Sequence, residues 1–249
     1  PYIGSLGSWL AARADECRKG LVGIHFKVVS CTMDQARAML DRGEQPDVLS
    51  FGAGTAQAND LLPIGGAFEP NPNIPTASGF SGGQLYALPY CASGLLLLYD
   101  QNAAGEADTA DLLAACGTAE DFKRGKAIAC VCDVRTAGDI YRASLTGKAP
   151  SFMATPYTAE NSGNADSQDL QEQSELTQYV GVFSSIDERK LQYAYGFIEY
   201  VTGTEAQSKL CEIGLLPIDT GADADYGQEW LSALFARFDP YKLKNCFGQ

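Results

Sequence analysis

The residues best suited to chemistry in this 249-residue sequence lie in Cys132-Asp-Val-Arg-Thr136 and the Ala-Gly-Asp-Ile-Tyr-Arg-Ala run that follows. A β-branched, thiol-containing run ends at Cys132 and a helical pattern starts near Thr136, so Asp133, Arg135 and Thr136 fall at a strand-to-helix junction. Unpaired N–H groups, the positive end of a helix and a fork-shaped guanidinium suit a carboxylate, a phosphate or the hydroxyls of a sugar. The plain alternative is an ion pair from Arg135 to Asp133 or Asp139. Tyr90, after Pro89, is expected to present its ring at a strand end, where it would stack on an apolar sugar face; core packing is the competing reading. Gly52-Ala-Gly-Thr55 follows a buried strand and would let a ligand approach Gly54 and Thr55 closely, or is an ordinary turn.

Catalysis finds little support. His25 is the single histidine, and it alternates with Ile24 and Phe26 in a strand pattern. Ser–His or Cys–His nucleophile pairs would have to be built on it. Acidic residues are plentiful, but no pair has a spacing that enforces the separation glycoside hydrolysis needs. Of the eight cysteines, most lie in apolar segments, as buried free thiols do. Cys130 and Cys132 share one face of a strand, without the second pair a zinc site requires. No metal, cofactor or catalytic residue is expected. A net charge of −13 with scattered Lys and Arg argues against nucleic acid. Pro1 is neither an initiator Met nor the start of a charged-then-apolar leader, so the start is expected to be a processed or trimmed end, with an export signal possible upstream.

The elements that must position these residues alternate. Residues 6–19 read as a helix with Trp9, Leu10 and Ala14 at helical spacing; 22–30 as a strand; 32–42 as a helix capped by Thr32 with Gln35 in the capping-box position; and 46–51 as a strand. Residues 59–81 are Pro- and Gly-rich connection. Two strands flank the Pro-Tyr-Cys-Ala-Ser93 kink at 84–88 and 94–99. Helices at 109–116 and 118–123 and a strand at 127–132 begin a second unit. Residues 154–173 are polar and acidic, 179–183 form a short strand, and 186–201 a helix. Strands alternating with helices imply parallel α/β sheets that bind ligands at the strand C-termini.

Three stretches carry a likeness: Pro-Asp-Val-Leu-Ser-Phe-Gly-Ala-Gly at 46–54, Leu-Tyr-Ala-Leu-Pro-Tyr-Cys-Ala-Ser-Gly-Leu-Leu-Leu-Leu-Tyr-Asp at 85–100, and residues 194–218, ending Gly-Leu-Leu-Pro-Ile. In this order they resemble the extracellular solute-binding proteins of ABC importers, in the maltose-binding-like group. The resemblance implies an α/β, two-lobed, type II periplasmic-binding-protein-like fold, each lobe a mainly parallel sheet flanked by helices, the second lobe reduced. It implies a first lobe of residues 1–101 and 184–220, a second of 102–183 and 221–249, and hinge crossings near 100–103 and 178–185. The family's first strand is expected to be missing, since Pro1 stands where the loop after it begins.

By the same resemblance the protein is expected to be a receptor and not an enzyme, capturing a small polar solute, a carbohydrate by preference, for ABC permease subunits. It is expected to be a monomer, extracellular and membrane-anchored as a lipoprotein. The implied ligand-binding set is Tyr2, Ser5, Gly54, Thr55, Tyr90, Ser93, Asp133, Arg135, Thr136, Phe183 and Ser184, with the last two flooring the cleft. A sensor or adhesion module on the same frame, or a hydrolase acting with carboxylates, are the other functions weighed. Two tryptophans against twelve tyrosines argue against a long oligosaccharide groove while leaving sugar stacking open.

Overall fold

The computed structural model describes residues 5–19, 21–157, 176–225, 227 and 229–248. In chain order the elements are α1 (Leu6–Cys17), α2 (Met33–Asp41), β1 (Val48–Gly52), the hairpin strands β2 (Phe80–Ser81) and β3 (Gln84–Leu85), β4 (Leu88–Ala92), β5 (Leu95–Tyr99), α3 (Gln101–Ala104) and α4 (Thr109–Ala114). They continue with β6 (Cys116–Gly117), α5 (Ala119–Lys123), β7 (Ala129–Asp133), α6 (Val134–Leu145), β8 (Met153–Pro156), β9 (Thr177–Val182), α7 (Leu191–Thr202), α8 (Thr204–Ser208), β10 (Leu216–Pro217) and α9 (Glu229–Arg237).

Two four-stranded sheets organise the chain. The first has the order β1-β9-β4-β10 and the second β6-β7-β5-β8. The expectation of mainly parallel sheets is corrected: only β6 and β7 pair in parallel among the described strands, and the other ladders of both sheets are antiparallel. The cause in the first sheet is β9. It returns from the second sheet and wedges between β1 and β4, which therefore run in the same direction without touching.

The expected domain boundaries also need correcting. Leu95–Tyr99 is not a strand of the first sheet; β5 lies inside the second, with β7 on one side and β8 on the other. The chain leaves the first sheet at Ser93–Gly94, ahead of the expected 100–103. The polar turn at Tyr99-Asp-Gln101 is instead a helix cap, where Asp100 Oδ1 accepts from the N–H groups of Asn102 (2.9 Å) and Ala103 (3.4 Å). The return crossing precedes β9 and is not at 178–185. The C-terminal region does not stay with the second sheet either. Leu231, Leu234 and Leu243 pack in its core, whereas Cys246 joins Phe51 and Tyr179 on the first.

Local patterning explains the helices. The capping box at α2 is present: Gln35 N–H donates to Thr32 Oγ1 at 3.3 Å and Thr32 N–H to Gln35 Oε1 at 2.9 Å. Trp9, Leu10 and Ala14 of α1 and Phe197, Ile198 and Val201 of α7 are buried in one cluster against the first sheet. The segment expected as a strand at 22–30 alternates as a strand should, with Ile24, Phe26 and Val28 half-buried and His25, Lys27 and Val29 exposed. It joins no ladder among the described residues, however, and packs Phe26 against Phe197 at a ring separation of 5.3 Å. Period-two burial alone does not make a strand without an edge to pair with.

Two predictions follow from this packing. A Cβ at Gly94 would come within 2.6 Å of Leu234 Cδ2, so Gly94→Ala should destabilise by about 1–3 kcal/mol. Because the obstacle is a side-chain tip, Leu234→Ala in the same chain should recover part of that loss; denaturant unfolding of the two singles and the double reads the coupling. Among the thiols, Cys31 is exposed while Cys91 and Cys246 are buried. Burial pushes the Cys246 thiol up to about 12 and raises Cys91 further still. Alkylation of the native protein at pH 8, read by peptide mass spectrometry, should therefore mark Cys31 well before either; equal rates would contradict the packing.

Candidate functional site

The two sheets meet end to end. β4 ends at Ala92, which pairs with Thr177 at the start of β9. Pairing then continues through the crossing: Ser93 N–H donates to Leu176 O at 3.0 Å, and Tyr157 N–H to Leu95 O at 3.0 Å. The outgoing segment is thus bonded to the described residues on either side of 158–175. β10 flanks β4 through Leu216 opposite Ala92, and the next residue, Ile218, already packs with the second sheet's core. Ile74, Ala92, Leu216 and Ile218 form one apolar cluster with Leu96, Leu98, Leu231 and Leu234, so the junction is dry on that side.

Strand direction decides which residues face the gap between the sheets. β1 and β4 both end towards the junction, since Gly52 pairs with Gln178 and Ala92 with Thr177. On the other side β7 ends there too, since Asp133 pairs with Leu95, the first residue of β5. Val134 N–H donates to Gly94 O at 3.1 Å, fixing the start of α6 against the crossing. The C-termini of β1, β4 and β7 thus converge, the arrangement in which loops rather than strand edges meet a ligand.

Within this zone the expected residues fare differently. Ser93 lies at the crossing, and its Oγ is buried with no hydrogen-bond partner among the described residues. A buried hydroxyl left unpaired costs roughly 1–3 kcal/mol, so it favours an incoming polar group. Asp133 is the N-cap of α6, its Oδ1 accepting from Thr136 N–H at 2.8 Å, which occupies the Thr136 N–H that the junction was expected to offer. Asp139 pairs with Arg142, not Arg135. Arg135 is exposed and makes no ion pair among the described residues. Its guanidinium is thus available at the end of β7. Gly54 adopts φ +75°, which a side chain would strain, but its N–H donates to Cys246 O at 2.8 Å. Thr55 Oγ1 donates to Gly52 O at 2.6 Å, so the turn is closed on itself and capped by the C-terminal segment.

Three expectations are corrected. Tyr90 does not face a cleft: it is fully buried, stacked on Trp9 with ring centroids 6.3 Å apart, and its hydroxyl meets Ser50 Oγ at 2.7 Å. The reason is its place in β4, an interior strand covered by α1 and α7. Phe183 and Ser184 do not floor the gap. They follow β9 at the end away from the junction, where Phe183 bridges Leu61 and Ser184 N–H donates to Asp60 O at 2.8 Å. Ser5 is the N-cap of α1, its Oγ accepting from Ser8 N–H at 3.2 Å. Tyr2 lies outside the described residues.

Sequence reading passed over Gln178, Gln207 and Asp219. Gln178 sits at the junction end of β9 opposite both Gly52 and Cys91. Gln207 and Asp219 are fully buried polar residues beside β4 and β10. Polar residues in otherwise apolar stretches, Gln178 before Tyr-Val-Gly-Val and Asp219 after Leu-Leu-Pro-Ile, were the available signal.

No family model matches the chain, and no curated protein matches it. Solved structures do. The GacH receptor of Streptomyces glaucescens, determined unliganded and with acarbose and a homologue of it, is 16% identical over 97% of this chain and 84% of its own, with a TM-score of 0.62. MalX from Streptococcus pneumoniae in complex with maltopentaose is 12% identical, with 97% and 87% covered and a TM-score of 0.61. UgpB from Mycobacterium tuberculosis in complex with glycerophosphocholine is 12% identical, with 86% and 79% covered and a TM-score of 0.61. The fold of this chain is that of the type II periplasmic binding proteins, mixed α/β with helix-flanked sheets.

Proposed function

We propose that this protein is a solute-binding receptor of an ABC importer, which captures a small polar ligand between its two sheet-centred bodies. The observation that carries the reading is the junction. The outgoing strand between the two sheets is bonded to Leu176 and Tyr157, the C-termini of β1, β4 and β7 converge on the junction, and the buried Ser93 hydroxyl there has no partner among the described residues. On this reading one body comprises residues 5–92 and 177–217 and the other is built on residues 95–157 and α9. The crossing at Ser93–Gly94 is the hinge, and ligand binding shifts the population towards the closed form.

A carbohydrate is the preferred ligand. GacH, in complex with acarbose, and MalX, in complex with maltopentaose, share this fold, and the groups offered here, the Ser93 hydroxyl, the Arg135 guanidinium and the carboxylate of Asp133, suit hydroxyl-rich molecules. UgpB, in complex with glycerophosphocholine, supports a phosphorylated polyol as the second choice, for which Arg135 is the matching group. A permease partner, an extracellular location with a lipid anchor, a monomeric state and the lack of an enzymatic role belong to the same proposal.

Differential scanning fluorimetry with maltose, maltotriose, acarbose and glycerophosphocholine tests it. One of these should raise the melting temperature as mass action requires, with roughly 2.7 kcal/mol of added stability at a hundred times Kd, and chromatography should recover it unaltered. Arg135→Ala should weaken binding at least tenfold without lowering the melting temperature of the free protein. A folded protein that shifts with none of these ligands, or one that converts its ligand, would count against the receptor reading.

A further inference from the structure

The side-chain amide of Gln207 makes four hydrogen bonds in a fully buried site. Nε2 donates to Tyr90 O (2.7 Å) and Val201 O (2.9 Å), while Oε1 accepts from the N–H groups of Ile218 (2.9 Å) and Asp219 (3.3 Å). An amide offers two donors and two acceptor sites, so its capacity is used completely. Of its partners, Tyr90 lies in β4, Val201 in α7, and Ile218 and Asp219 just after β10. Tyr90 is the residue at which the β4–β9 register shifts, so a bulge frees its carbonyl from that ladder. Ile218 follows β10 directly. The side chain lies where a backbone peptide would lie if the β4–β10 ladder had one more rung.

A second buried group continues the fastening. The Asp219 carboxylate accepts from Asn71 Nδ2 (2.8 Å), Thr204 Oγ1 (2.6 Å) and Gly221 N–H (2.7 Å). Val201 lies in the last turn of α7 and Thr204 opens α8, so the ends of both helices are tied to this buried cluster. Through Ala92 on one connection, and as far as Asp223, whose N–H donates to Ser208 Oγ at 3.1 Å, on the other, the outgoing segments are therefore bonded to the first body; Ser93 N–H already donates to Leu176 O.

We infer that Gln207 is a positioning residue for movement of the two bodies, keeping bending out of β4 and β10 by holding the two strands in one fixed register. This inference rests on the hinge assigned under the receptor reading, but its test needs no ligand. Interbody distances are measured by single-molecule fluorescence between dyes attached through non-canonical amino acids at exposed Glu188 and Lys148. Gln207→Leu removes all four bonds. Gln207→Glu keeps the acceptors for Ile218 and Asp219 but loses both donors. Each variant should fold with a single cooperative transition and at least double the width of the distance distribution. In Gln207→Glu, amide exchange at Ile218 and Asp219 should stay slow, separating loss of register from general loosening. Folded variants with wild-type widths would overturn the inference. If neither variant folds, exchange in the unaltered protein decides: Ile218 and Asp219 should exchange at least tenfold more slowly than the Ser93 amide, and equal rates would overturn it. A negative outcome leaves the receptor reading standing, and a failed ligand screen leaves this one standing.

Discussion

Backbone hydrogen bonding has to continue where the chain passes from one sheet to the other, and this requirement shapes the molecule. A single extended strand crossing a gap would leave its N–H and C=O groups unpaired as it left the first ladder and before it joined the second. Here the outgoing and returning segments satisfy each other: Ala92 lies opposite Thr177, Ser93 bonds to Leu176, and Leu95 to Tyr157. The result is a ribbon whose outgoing strand is bonded at both ends to described residues of the returning chain. Its dry side continues the apolar core from Ala92, Leu216 and Ile218 to Leu96, Leu98 and Leu234.

The ribbon has consequences on both sides. Because the returning strand enters beside the departing one, β9 runs against β4 and β1, and the first sheet is antiparallel at its centre. Because β5 enters the second sheet from the same junction, β7 must end there, which brings Asp133 and Arg135 to the gap. Glycine at 94 lets the ribbon pass beneath Leu234, where a Cβ would collide. Gln207 and Asp219, inside the first body, are bonded to capacity or nearly so, whereas Trp9 Nε1 and Arg13 Nε of α1 and the Ser93 hydroxyl at the junction are buried without a protein partner among the described residues.

Much of this was legible in the sequence. The elements 109–114, 119–123 and 129–133 fall within a few residues of their expected places, because caps such as Asp108 and Thr118 on the two helices and the apolar run of the strand act locally. The two-bodied fold was legible only through the likeness of three stretches to known receptors. What could not be read was pairing. Leu95 to Tyr99 is equally apolar whichever sheet receives it, and Pro-Tyr at 89–90 is compatible with a cleft or with a core. Only the neighbours decide, and those neighbours, β7, β8, Trp9 and Ser50, lie 30 to 81 residues away. The 22–30 segment shows the converse: its alternation is real, yet no strand among the described residues pairs with it.

The central claim is that two bodies joined by this ribbon approach each other around a solute. Small-angle X-ray scattering during titration with maltotriose, and in parallel with glycerophosphocholine, addresses it directly, with calorimetry on the same samples to report occupancy. The account predicts a radius of gyration that falls saturably in step with occupancy for the ligand that binds. A scattering profile unchanged at full occupancy would contradict it.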